Sequence, residues 1–377
     1  MQGGRPIQNV RILVDGWRSG DGPKLSTFLA LVFCAGVFSA PVGSLLPVYV
    51  DSTLHQGPGF TATLKVLQLA MVGLFALIGG TLADRIGQKK ALLIGFGGLP
   101  LGLVVFAIRD FWILAVAILI LGMTTSLQTV GGQSYLVASA NQKRLGALTA
   151  LYYLGNTLGG ALGNAVLATA ADRFGFPTVG LVGAVASLGL IVLAVARLPD
   201  VGSSFGRSGR EAPASMSDYV ILLRDRQIAL IGALRFFTTC FYGATSLLMP
   251  LLVYRLSGSI ATAGVYSTVS LIVATATQLA VGRLVDQYGV SLPVRILTTG
   301  VLFAAIAASF STHSLGPFFV TGVFATSILW GLSTSMTTLA RLASGPNQTG
   351  RVLGFLHLCW SAGMLIGTGA SGVLVSV

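Results

Sequence analysis

Apolar residues run in eleven long blocks along the chain, over 25–50, 61–83, 91–108, 112–139, 145–170, 178–197, 227–254, 260–283, 293–311, 316–342 and 351–375. Short polar segments separate them and carry nearly all of the charge. Each block is long enough to cross a hydrocarbon layer of about 30 Å. Lipid offers no partner for an unpaired N–H or C=O, and an open sheet edge could not persist there, so each block is predicted to be an α-helix.

Composition strengthens this reading. Hydrophobic residues make up 54% of the chain and charged residues 9%, with a mean hydropathy of +0.84. A soluble domain carries about 25% charged residues, so too few polar side chains are present to cover a water-facing surface. The 49 glycines suit helices that approach closely within a membrane. Cys34, Cys240 and Cys359 fall inside apolar runs and predict no disulfide framework. The three histidines have no metal-ligand spacing, so no metal and no cofactor is expected. With no nucleotide loop, nucleophile elbow or paired carboxylates, no enzyme is expected either.

The net charge of +12 would suggest nucleic acid in a soluble protein, but its placement gives another answer. Eighteen of the 23 Lys and Arg fall on one side of the predicted spans and only Arg109, Arg173 and Arg255 on the other; Lys65 and Arg235 lie within spans. Basic loops stay cytoplasmic. This predicts a multi-pass protein of the cell membrane with a cytoplasmic N-terminus, and no nucleic-acid partner. In the polar tail, residues 1–24, Val10, Leu13, Val14 and Trp17 recur at helical spacing; a short surface helix and a disordered tail both fit. The tail does not read as a cleaved signal peptide.

The pattern repeats. Gly80, Leu82, Asp84 and Gly87 at the end of the second span match Gly282, Leu284, Asp286 and Gly289 at the end of the eighth, 202 residues later. Gly146, Gly155 and Gly159 match Gly354, Gly363 and Gly367, each 208 residues later. The chain therefore reads as a duplicated six-helix unit: an N-terminal bundle over 25–198, a polar linker over 199–224 and a C-terminal bundle over 225–377. The sixth span has no partner; its place falls at about 386–405 by the 208-residue offset, past Val377. The expectation is eleven spans of a twelve-span protein, shortened at its C-terminus.

Residues 80–90, GTLADRIGQKK, resemble the signature between helices 2 and 3 of the major facilitator superfamily, G-x-L-A-D-R-x-G-[RK]-[RK], with Gln88 at a usually basic position. The resemblance implies an all-α membrane fold of two pseudo-symmetric helix bundles. It also implies a secondary transporter, expected as a monomer in the lipid bilayer. It assigns Asp84, with Arg85 alongside, to the start of helix 11 and Asp286 to the start of helix 5, as contacts that hold the cytoplasmic side shut in one state. Lys89 and Lys90 complete the basic loop. A carboxylate is favoured beside a helix N-terminus, and Gly80 and Gly87 permit close approach and a tight turn.

Gly146, Gly155, Gly159 and Gly163 match the spacing of this superfamily's antiporter signature in helix 5, but Gly160 replaces its proline and Asn164 its last glycine. The arginine expected near Ile118, ahead of Gly122, is absent. Helix packing is the other reading of this glycine face, and these departures leave proton-coupled efflux without its full signature. No Asp or Glu lies within a span, and His357 is the sole intramembrane histidine, so proton coupling and facilitated diffusion both stay open.

Polar stripes at helical spacing mark a candidate cavity: Arg235, Thr238, Thr239, Tyr242 and Ser246 in the seventh span; Thr124, Gln128, Gly131 and Tyr135 in the fourth; Ser327, Trp330, Thr334 and Thr338 in the tenth. Cys34, Ser39 and Ser44 make a fainter stripe in the first. The family lines its cavity with these four helices. Arg235 suits a planar anion such as a carboxylate, although it could instead bond backbone carbonyls at a helix break. The predicted function is transport of a small organic solute, of anionic character if Arg235 meets it. A non-transporting sensor or scaffold is the competing reading.

Overall fold

The computed structural model describes residues 22–139, 145–200, 222, 224–343 and 349–376. The surface-helix candidate and most of the linker lie outside them. Eleven helical spans follow in order: α1 (Gly22–Ser52), α2 (Pro58–Ile86), α3 (Gln88–Ala107), α4 (Phe111–Ser139), α5 (Leu145–Phe174), α6 (Phe176–Arg197), α7 (Arg226–Ser257), α8 (Ile260–Tyr288), α9 (Ser291–Ser311), α10 (Leu315–Ala343) and α11 (Thr349–Ser376). No strand occurs among the described residues. Among those same residues, ten of the eleven are long and apolar enough to cross a membrane. The one that falls short is α5, whose apolar run is broken by Asn156, Gly159, Gly160, Gly163 and Asn164.

Local sequence explains where the helices begin and end. The Asp225 carboxylate accepts the N–H groups of Gln227 at 2.8 Å and Ile228 at 3.3 Å and opens α7. Ser259 does the same for α8 through the N–H of Thr262, and Asp110 for α4 through Trp112 and Ile113. Such caps supply partners to N–H groups that the first turn leaves unpaired. Gly87 (φ 94°) and Gly289 (φ 76°) follow α2 and α8 at corresponding places in the repeat. Both turns need a left-handed conformation that a side chain would resist.

Within each half, glycine sets the closest contact. On α5, a Cβ on Gly159 would strike the Phe33 carbonyl of α1, one on Gly163 that of Val37, and one on Gly155 would come within 3.8 Å of that of Leu29. On α11, a Cβ on Gly363 would come within 2.6 Å of the Phe236 carbonyl of α7, and one on Gly367 would strike that of Cys240. The α5 glycine face is thus a packing surface against α1, repeated as α11 against α7. Ser44 donates to the Asn164 side-chain oxygen at 2.7 Å across the same contact, so the asparagine in place of glycine is paired.

The halves meet unevenly. The two ends of the molecule can be named by charge, the basic face being the one where α1, α3, α5, α7, α9 and α11 begin. At the basic-poor face one apolar core draws on both halves, joining Val42, Leu45, Tyr49, Phe106 and Phe176 to Met249, Val253, Ala263, Tyr266 and Phe318. Towards the basic face two separate cores replace it. Phe28, Leu92, Phe96, Tyr135 and Leu190 belong only to the N-terminal half, and Ile228, Leu297, Leu332 and Phe355 only to the C-terminal half.

Candidate functional site

A cavity of about 310 Å³ lies where the shared core ends, between the two halves. The N-terminal half supplies most of its wall: Ser39 and Gly43 from α1, Gln68 from α2, Gly98 and Gly102 from α3, Thr124, Thr125 and Gln128 from α4, Asn156 and Thr157 from α5. Leu271 of α8 and Trp330 of α10 close it from the other half. Gly95 and Gly98 bring α3 against α4 here, because any side chain at Gly95 would run into the Gln128 backbone and one at Gly98 into Thr124. That close approach fixes where Gln128 stands.

Three carboxamides, Gln68, Gln128 and Asn156, face the cavity and hold no hydrogen bond with a described residue. Each offers two donors and one acceptor oxygen. Gln68 and Gln128 are half-buried and Asn156 is exposed, so their donors and acceptors are open to a molecule that enters the cavity. Trp330 differs in being locked: its indole N–H donates to the Tyr242 hydroxyl at 3.1 Å, which holds an aromatic face against the cavity.

Arg235 lies on α7, two turns before Tyr242 on the way to the basic face. Its Nη1 donates to the Ser333 hydroxyl at 2.9 Å. No carboxylate pairs with it among the described residues, and its other donors are unused there. Thr238 and Thr239 turn back onto their own helix, donating to the carbonyls of Leu234 at 2.8 Å and Arg235 at 2.6 Å. Thr334 likewise donates to the Trp330 carbonyl at 3.2 Å. Of the residues in the expected stripes, the structure therefore brings Ser39, Thr124, Gln128 and Trp330 onto the wall, with Tyr242 behind Trp330 and Arg235 beyond it. Tyr135 lies elsewhere. It is buried against Phe28, ring centroids 4.9 Å apart, and its hydroxyl donates to the Pro199 carbonyl. The α4 stripe is one face, but that face meets the cavity at Gln128, α3 at Gly131 and α1 at Tyr135. Gln68 and Asn156 were missed because neither sits in a polar stripe; only the meeting of α2, α4 and α5 brings them together.

Bonds that cross between halves gather on the basic-poor side. Arg255 and Asp51 form a two-pronged ion pair, the shortest N···O distance being 2.5 Å. Asp172 accepts the Ile260 N–H and the Ser259 hydroxyl, each at 3.0 Å. Thr268 donates to the Ala161 carbonyl at 2.8 Å, and Lys65 to the Ser246 carbonyl at 3.1 Å. At the basic face, Lys89 stands 4.0 Å from Asp200 and Lys90 is exposed. Asp286 is exposed with no partner among the described residues. The side chains of Asp84 and Arg85, and the segments leading into α5 and α11, lie outside those residues.

Two helical bundles about a shared cavity, in a chain of membrane-spanning helices, define a multi-pass membrane protein of two-bundle architecture. The chain belongs to the Major Facilitator Superfamily, whose model matches residues 28–375. It is 25% identical to an uncharacterised MFS-type transporter, YwfA, of Bacillus subtilis, over 52% of this chain and 46% of the relative. It is 31% identical to a gallate transporter of Pseudomonas putida, over 56% and 48%. A putative proline/betaine transporter of Staphylococcus aureus is 35% identical over 26% and 22%. The matched stretches span less than half of each of these relatives. The nucleoside transporter NupG superposes with a TM-score of 0.75 at 15% identity, covering 93% of this chain and 90% of that one. A bacterial homologue of the human lysosomal transporter Spinster, in an inward-facing and occupied conformation, does so with a TM-score of 0.71 at 15% identity, over 98% and 81%. At such identities these likenesses speak for the fold alone.

Proposed function

We propose that this protein carries a small organic carboxylate across the cell membrane by alternating access, the solute lying against Trp330 and the carboxamides and its carboxylate meeting Arg235. The observation that supports alternating access most directly is the division of the apolar core, one core across both halves at the basic-poor face and two separate cores at the other. Two rigid bundles joined at one end can rock about the cavity, making the second pair of contacts as the first is broken. The 18-to-3 distribution of basic residues supports a cytoplasmic basic face, and on this reading the state described is closed to the outside.

Arg235 supports the carboxylate. An arginine at this depth costs at least ~2.5 kcal/mol by insertion scales. One hydroxyl partner leaves most of its donors free, in a fork that matches a carboxylate. Gallate, proline and betaine, named for the relatives, all carry that group and are the first solutes to test. The measurement is uptake into proteoliposomes of controlled orientation. Arg235→Gln should raise KM for a carboxylate solute about tenfold or more, the loss of a charge-assisted hydrogen bond, and Arg235→Lys should fall between. Transport of neutral solutes alone, or an Arg235→Gln variant as fast as the native protein, would refute the carboxylate reading.

A further inference from the structure

We propose that Lys65 is a positioning residue of the transport cycle, a latch that crosses from one half to the other and caps the backbone carbonyl that Pro250 leaves open in α7. The case begins with proline. Pro250 lies inside α7. It has no N–H, so the carbonyl four residues earlier, that of Ser246, loses its intrahelical partner. The Ser246 hydroxyl cannot serve, because it donates to the Gly243 carbonyl at 2.9 Å. The partner comes from the opposite half: Lys65 Nζ on α2, 3.1 Å from the Ser246 oxygen.

Both ends of this bond depend on it. Lys65 is 8% exposed, has no carboxylate within ion-pair distance among the described residues, and makes this single hydrogen bond with them. Its neighbour Leu64 is buried in the core shared by the halves, and Gln68, one turn deeper, lines the cavity. The latch therefore sits between the cavity and the closed face. Opening that face parts α2 from α7 and strands an ammonium and a carbonyl together, until water or solute reaches them. Hydrogen bonds to charged groups are stronger than neutral ones, and a stranded buried partner adds its own cost. The shut state gains a preference that the sequence of neither half supplies alone.

The inference rests on alternating access but not on the solute's charge, so it is read without solute. Spin labels on unnatural residues at positions 56 and 312, in loops of opposite halves at the basic-poor face, report opening by their separation in nanodiscs. Lys65→Met should raise the ratio of open to shut about tenfold or more, and Lys65→Arg, which keeps a charged donor, should restore most of it. Pro250→Ala returns an N–H to α7. In that background Lys65→Met should shift the ratio by no more than about twofold, the non-additivity expected of two residues that share one bond. Thermal unfolding of each variant checks that it is folded. An equal shift in both backgrounds, or no shift on Lys65→Met, overturns the latch and leaves alternating access standing. A single unchanging separation in every variant overturns both.

Discussion

Side chains of the expected polar stripes divide into those already paired and those left free, and the division predicts which will matter for solute. Thr238, Thr239 and Thr334 spend their hydroxyls on their own helices, as Ser and Thr commonly do within spans. Gln128 is free of such bonds to the described residues. Gln128→Leu should raise KM for solute about tenfold while the unfolding temperature of the detergent-solubilised protein stays within about 2 °C, since none of those residues loses a hydrogen bond. A large fall in stability with unaltered KM would show that Gln128 is structural. Polar spacing marked Ser39, Thr124, Gln128 and Trp330 in advance. It placed Tyr135 with them because spacing identifies a helical face, and cannot say that the same face meets a cavity at one turn and another helix two turns on.

The contact of α1 with α5, and of α7 with α11, is made through backbone. A new Cβ at Gly159 or Gly367 would meet the carbonyl of Phe33 or Cys240, and a helix backbone cannot turn aside as a flexible side chain can. Gly159→Ala and Gly367→Ala should each cost about 1–3 kcal/mol, the range for overpacking a close contact. Gly43→Ala, with nothing within 4 Å of the new methyl, should be nearly silent. Thermal unfolding of the three variants provides the comparison, and equal stability at all three positions would contradict the packing described. The glycine spacing in α5 and its recurrence in α11 were legible in the sequence. Their partners were not, because the carbonyls of α1 and α7 carry no residue-type signal.

At the scale of the molecule, the two halves close one face with an ion pair as well as with a shared core. Asp51 and Arg255 lie partly in water, with 20% and 41% of their side-chain surfaces exposed, where ion pairs are worth about 0–1 kcal/mol and salt weakens them. Asp51→Asn should therefore move the open-to-shut ratio by at most about fivefold, and about 1 M salt should abolish the difference from the native protein. A shift as large as that of Lys65→Met, or one indifferent to salt, would contradict this ranking. Span number, the two-fold repeat and the asymmetry of basic loops were all readable along the chain, because lipid acts on each helix by its own length, polarity and flanking charge. The cavity wall, the capped carbonyl of Ser246 and the single core at one face were not. Each depends on which helix lies beside which, and that is decided by the packing of groups far apart in the chain, where a lysine of one half meets an oxygen that a proline of the other has set free.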